Sequence, residues 1–161
     1  MPSDTHPERV LTIRSATRED LPSILAMLAQ DTLPADRETD SADPRYAAAF
    51  DAIDADLNQL LVAAELDGQV IGTLQLSFIP GLSFRGAWRG QIEAVRIASS
   101  HRGRRYGEQL IAWAVDRCRE RDCFLVQLTS SNERTDAHRF YERLGWAKSH
   151  TGFKLKLKDA Q

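Results

Sequence analysis

The stretch Gln91-Ile92-Glu93-Ala94-Val95-Arg96-Ile97-Ala98-Ser99-Ser100-His101-Arg102-Gly103-Arg104-Arg105-Tyr106-Gly107-Glu108-Gln109-Leu110-Ile111 decides the fold. Gln91 to Ala98 reads as a strand. Leu110, Ile111, Ala114, Val115 and Cys118 recur at helical spacing and mark an amphipathic helix from Gly107 to about Arg121. Such a helix start exposes unpaired backbone N–H groups and the positive end of the macrodipole. Gly103 and Gly107 let oxygen atoms of a ligand approach that backbone closely. The guanidinium groups of Arg102, Arg104 and Arg105 add charge suited to a phosphate-bearing ligand of limited size. This strand, arginine loop and helix together predict a pyrophosphate seat. The loop matches neither the P-loop nor the dinucleotide fingerprint, and many phosphate ligands would satisfy it. For the arginines alone, a solvated charged loop is the plain alternative.

Upstream, Val10 to Arg14 alternates as a first strand, and residues 1–9 read as a flexible tail. Thr17 is placed to cap a helix, with Asp20 three residues on in the manner of a capping box. Pro22 then falls in the first turn, and Leu21, Ile24, Leu25 and Leu28 form the apolar stripe. Asp31 to Arg45 reads as a loop and Pro44 to Leu57 as a second helix. Leu60 to Leu66 and Gln69 to Ile79 are strands joined at Asp67-Gly68, a strong hairpin signal because both turn positions need positive φ. Pro80 to Gly90 is a loop carrying Phe84 and Trp88.

Downstream, Phe124 to Thr129 is a short, buried strand. Ala137, Phe140, Tyr141 and Leu144 give a last helix that stops at Gly145. Trp146 to Leu157 supplies one or two closing strands, with Phe153, Leu155 and Leu157 on one side and lysines on the other. The order β-α-α-β-β-β-α-β-α-β is a mixed α/β arrangement, expected as one domain over residues 10–158.

Composition narrows the function. A net charge of −2 over 161 residues argues against general nucleic-acid binding. No apolar run suits a bilayer and the N-terminus lacks a signal-peptide core, so a cytoplasmic address is expected, without a membrane partner. Cys118 and Cys123 match neither a redox pair nor a zinc half-site and read as small reduced hydrophobes. The four histidines show no ligand spacing, so no metal is expected.

The segment Arg102 to Gly107 resembles motif A of the GNAT superfamily of N-acetyltransferases, (Arg/Gln)-x-x-Gly-x-(Gly/Ala), with Arg105 in place of the central glycine. Arg139-Phe140-Tyr141-Glu142-Arg143-Leu144-Gly145-Trp146 is similar to the family's FYxxLGF signature. The hairpin at Asp67-Gly68 and the opening Ile13 to Leu21 also look like this family, so the likeness runs over most of Val10 to Leu157.

The resemblance implies a GNAT-like acyl-CoA N-acyltransferase fold: a central, mixed, splayed sheet of about six or seven strands flanked by about four helices. It implies an acyltransferase that passes the acetyl group of acetyl-CoA to a primary amine by direct attack in a ternary complex, the acceptor being a small molecule or a protein. A domain that senses acetyl-CoA without catalysis is the alternative. Carried over by position, Val95, Arg96 and Ile97 would meet the acetyl carbonyl and pantetheine, an N–H near Val95 stabilising the oxyanion. Arg102, Gly103, Arg104, Arg105, Tyr106, Gly107 and Glu108 would hold the pyrophosphate, and Asn132 would be a second pantetheine contact. Tyr141 matches the tyrosine that protonates the CoA sulfur; spacing alone reads it as a core aromatic. Glu93 is the candidate general base, and the strand period puts it on one face with Val95. Homodimers are common in the family.

Overall fold

The computed structural model describes residues 9–30 and 40–158. The expected tail, apart from Arg9, and residues 31–39 of the expected loop lie outside these. Five strands form one sheet in chain order: β1 (Thr12–Ser15), β2 (Gln59–Leu66), β3 (Gln69–Pro80), β4 (Trp88–Ile97) and β5 (Leu125–Leu128). The first three pairings are antiparallel and β4–β5 is parallel. A parallel step needs a crossover, which α3 (Tyr106–Glu120) supplies. The hairpin forms where expected, with Asp67 at φ 52° and Gly68 at φ 77° joining Leu66 to Gln69.

Three further helices longer than two turns are α1 (Leu21–Ala29), α2 (Pro44–Ala55) and α4 (Thr135–Arg143), and a single turn, Ser83–Gly86, forms within the stretch expected as a loop. The start of the first is set by a carboxylate: Asp20 accepts from the Thr17 N–H at 2.7 Å and binds Arg14 through both oxygens, at 2.6 and 2.9 Å. Arg14 also reaches Glu65 on β2 at 3.1 Å, tying the entry of α1 to the sheet. For α2, the Asp43 carboxylate caps the Arg45 N–H just before Pro44.

The sheet is apolar on both faces. On one, Val62, Ala64, Leu74, Leu76 and Ile92 pack with Leu110, Ile111, Ala114 and Cys118 of α3. On the other, Ala63 packs with Ile24 and Met27 of α1. Each large buried aliphatic side chain contributes about 1.5–3 kcal/mol. At Gly90 on β4 a methyl would come within 2.3 Å of the Cys118 sulfur, so that thiol of α3 fills the space a side chain there would need. Burial pushes the Cys118 thiol up to about 12, and both cysteines are free. No helix among the described residues is long and apolar enough to cross a membrane, and none of their His, Cys, Asp and Glu side chains group to hold a metal ion.

The fold class is as expected, but the strand count is five rather than six or seven. The closing strands expected from Trp146 to Leu157 are not formed among the described residues; Ala147 to Lys158 are all exposed. The alternation there is a strand's, yet a strand also needs a neighbouring edge to bond to, and this segment lies against none.

Candidate active site

Two local irregularities of β4 make the site. The first is a bulge. Gln75 on β3 faces Glu93 while Thr73 faces Arg96, so β4 spends one residue more than β3 over the same span. Ala94 sits within it at φ 54°, a left-handed conformation that a bulge accommodates. Thr73 and Gln75 share a face, and their partners Glu93 and Arg96 therefore share one too. The simple two-residue period fails here, and Glu93 is not on the face of Val95 as expected. Val95 and Ile97 pack towards the α3 side, whereas Glu93 is exposed beside Gln91 on the opposite face.

The second irregularity is that β4 and β5 part company. Their pairing runs from Arg89–Leu125 to Ile92–Leu128 and stops, so Val95, Arg96 and Ile97 lie beyond the last β5 rung. Past β5 the chain turns through Ser131 and Asn132 into α4. The His138 ring lies 2.8 Å from the Ser131 carbonyl and pins that turn, with Asn132 exposed on it.

Below the open end lies a cavity of about 570 Å³. Its lining includes Ile97, Arg102, Gly103, Arg105, Tyr106, Gly107 and Glu108 of the expected set. His101, Phe140, Arg143 and Leu144 complete it; sequence reasoning left these out, although Phe140, Arg143 and Leu144 stand in the quoted signature. Val95, Arg96, Arg104, Asn132, Tyr141 and Glu93 do not line this cavity, and Arg104 points its charge to solvent nearby.

The loop is built to present amides. Gly103 and Arg105 both take left-handed conformations, at φ 76° and 64°. Arg105 thus occupies, at a steric cost, the very conformation that the motif's usual glycine adopts freely. The first helical bond of α3 runs from the Gln109 N–H to the Arg105 carbonyl, which leaves the N–H groups of Tyr106, Gly107 and Glu108 as the helix's spare donors. Arg102 is braced by its Nε donating to the Ile97 carbonyl at 3.2 Å. The Tyr106 ring is buried in the core, so its part in the site is its amide.

Tyr141 belongs to α4 and is half-buried, in edge contact with Phe140 at 5.1 Å and Trp146 at 5.8 Å between ring centres. Burial pushes its hydroxyl above the ordinary tyrosine range, with Arg134 and Arg96 pulling the other way. The group stays protonated at neutral pH, with Arg96 of β4 among its charged neighbours.

Comparison with known proteins fits this geometry. A family model described as the Acetyltransferase (GNAT) family matches residues 23–146. The aminoalkylphosphonate N-acetyltransferase of Salmonella typhimurium strain LT2 is 32% identical over 148 residues, 92% of each chain. A crystal structure from Bacillus halodurans C-125, named a transcriptional regulator, is 43% identical, with a TM-score of 0.87 over 92% of this chain and 100% of that one. Glucosamine-6-phosphate N-acetyltransferase of Arabidopsis thaliana shares the fold at a TM-score of 0.80, covering 93% of this chain and 100% of that one; at 19% identity it speaks for the fold alone.

Proposed function

The chain belongs to the acetyltransferase (GNAT) family, and we propose from that premise that it moves the acetyl group of acetyl-CoA to a primary amine by direct attack in a ternary complex in the cytoplasm. The observation that carries the reading is the bulge at Ala94 followed by the parting of β4 from β5. It carries Val95 to Ile97 past the last β5 rung, with Ile97 lining the cavity at the start of α3.

The residues present fit the donor. Three spare amides, two left-handed turns and the guanidinium groups of Arg102 and Arg105 suit a diphosphate, and Arg104 adds charge from outside the cavity. The end of β4 beyond the last β5 rung and Asn132 suit the amide-bearing arm that follows. When bound, acetyl-CoA supplies an activated thioester. The amine nitrogen attacks the carbonyl carbon, and an N–H near Val95 stabilises the negative charge that grows on the oxygen, a contribution of roughly 3 kcal/mol in such sites. Glu93, exposed on the face opposite Val95, takes the amine's proton through a water. As the carbon–sulfur bond breaks, Tyr141 gives its hydroxyl proton to the departing sulfur. Phe140 and Leu144 seal the cavity from the α4 side.

The acceptor class named by the Salmonella typhimurium relative, an aminoalkylphosphonate, is the first to try. Release of free thiol is followed with acetyl-CoA and a panel of aminoalkylphosphonates, polyamines, amino acids and peptides, beside calorimetry with acetyl-CoA alone. Amine-dependent thiol release is expected. Binding without release on any amine leaves only a binding module, and absence of binding removes the site.

A further inference from the structure

The sheet face opposite α3 carries a row of polar side chains that neither the core nor the donor cavity uses. Gln59, Ser77, Gln91 and Gln127 stand directly opposite one another on β2, β3, β4 and β5. One step along, Gln75 stands opposite Glu93. Strand alternation puts all of these on the face of Leu61 and Ala63. Under α1 that face is apolar, with Ala63 against Ile24 and Met27. Here it turns to amides, half-buried at Gln59, Gln75 and Gln91 and exposed at Gln127. Polar groups out of full reach of water need partners, so the bonds they make reveal which groups are left over for a ligand.

Those bonds divide the row in two. The Gln75 amide and the Ser77 hydroxyl both donate to Gln59 Oε1, at 3.0 and 2.9 Å. On the other side Gln127 Nε2 donates to Gln91 Oε1 at 2.7 Å. A carboxamide is planar, so holding the Gln91 oxygen on the β5 side turns its nitrogen away from that strand. Nothing among the described residues accepts from Gln91 Nε2, which therefore presents two N–H donors and no acceptor. Glu93 lies about 6.6 Å further along the strand, at two residues of rise. The register is regular between the two, because the bulge begins only after Glu93. An oriented donor and a carboxylate thus stand side by side on one strand.

We infer that Gln91 selects the acceptor: its N–H groups, oriented by Gln127, take an oxygen of a short primary amine whose nitrogen lies at Glu93. The class so chosen is an amine that also carries a phosphonate, carboxylate or hydroxyl a few bonds away. A diamine or polyamine is disfavoured, since its second end brings further donors to a group that only donates. Without the oxygen, the Gln91 N–H groups stay unpaired beneath the ligand, and discrimination comes from that loss. Gln127 is a positioning residue. Selection at Gln91 rests on the acetyl-transfer reading, with Glu93 at the amine, and adds to it which amines are taken.

Thiol release is measured with aminoethylphosphonate, β-alanine and ethanolamine against propylamine and diaminopropane. The unaltered chain should favour an oxygen-bearing amine over propylamine by about 10- to 100-fold in kcat/KM, and Gln91→Leu should bring that ratio close to one. Gln127→Glu keeps the size but accepts a bond where the amide donates one, so the Gln91 amide turns over and presents its oxygen. The ratio should then fall about tenfold, through KM rather than kcat, and diaminopropane should gain. Calorimetry with acetyl-CoA on both variants checks that the donor site is intact. A ratio that survives Gln91→Leu, or an unaltered chain that takes propylamine or diaminopropane equally well, overturns the inference and leaves acetyl transfer standing. Release from none of these five amines overturns it too, and acetyl transfer falls with it only if the wider amine panel is equally silent.

Discussion

Arg105 stands where motif A ordinarily carries glycine, and its φ of 64° explains why that position favours glycine. A side chain in this region costs about 1–2 kcal/mol. Arg105→Gly should therefore raise unfolding stability by about 1 kcal/mol in a denaturant melt while weakening acetyl-CoA binding about tenfold by calorimetry, the loss of one charge-assisted contact. Tyr141→Phe keeps the ring packing and removes the proton. Turnover should fall about 100-fold when chemistry limits the rate; because burial raises this hydroxyl, the alkaline fall in the unaltered enzyme's rate should lie above the ordinary tyrosine range. Asp20 gives a third test. Arg14, and then the Thr17 amide, hold its carboxyl down to about 2, from an ordinary 3.8. A depressed folded value means the stabilisation is complete above about pH 4 and is lost as pH falls towards about 2. Asp20→Asn should cost about 2 kcal/mol at pH 7, and acid melts should show the difference vanishing across that window. The Thr17–Asp20 pair was legible from its spacing alone, because a capping carboxylate acts within one turn. The part of Arg14 was not, since that contact depends on how β1 meets α1.

Elements were legible where one local rule governs them and illegible where the sheet decides. The Asp67-Gly68 turn, the start of α1 at Leu21 and Pro22, and the apolar stripe of α3 follow from positive φ, a missing N–H and a 3.6-residue period. The bulge in β4 does not: Ala94 carries no side-chain signal for a left-handed conformation, and only the β3 register reveals it. That one inserted residue is why the face assigned to Glu93 relative to Val95 had to be revised. Cavity residues on α4 escaped for a related reason, since Phe140 and Leu144 serve core and cavity with the same apolar stripe. Packing between α3 and β4 offers its own test at Gly90. Gly90→Ala drives a methyl into the buried Cys118 sulfur and should cost about 1–3 kcal/mol in thermal or denaturant unfolding. Adding Cys118→Ala should recover a good part of that loss, a non-additivity expected only of touching residues.

For the whole molecule, ligand binding and folding are linked through the open end of the sheet. Acetyl-CoA at 100 times its dissociation constant should add about 2.7 kcal/mol to stability and raise the thermal midpoint by roughly 5–10 °C; fragments lacking the adenine or the diphosphate should add less. The layered α/β order was readable from the alternation of patterns, whereas the fate of the last twelve or so residues was not, because an alternating segment specifies a strand but not whose edge it joins. The wedge between β4 and β5 has a consequence in time as well as in space. Beyond Ile92 the ladder between β4 and β5 has ended, so proton exchange with water there is governed by what β3 holds. A cofactor lodged there would act as a further rung, and exchange along Val95 to Ile97 should slow when it binds.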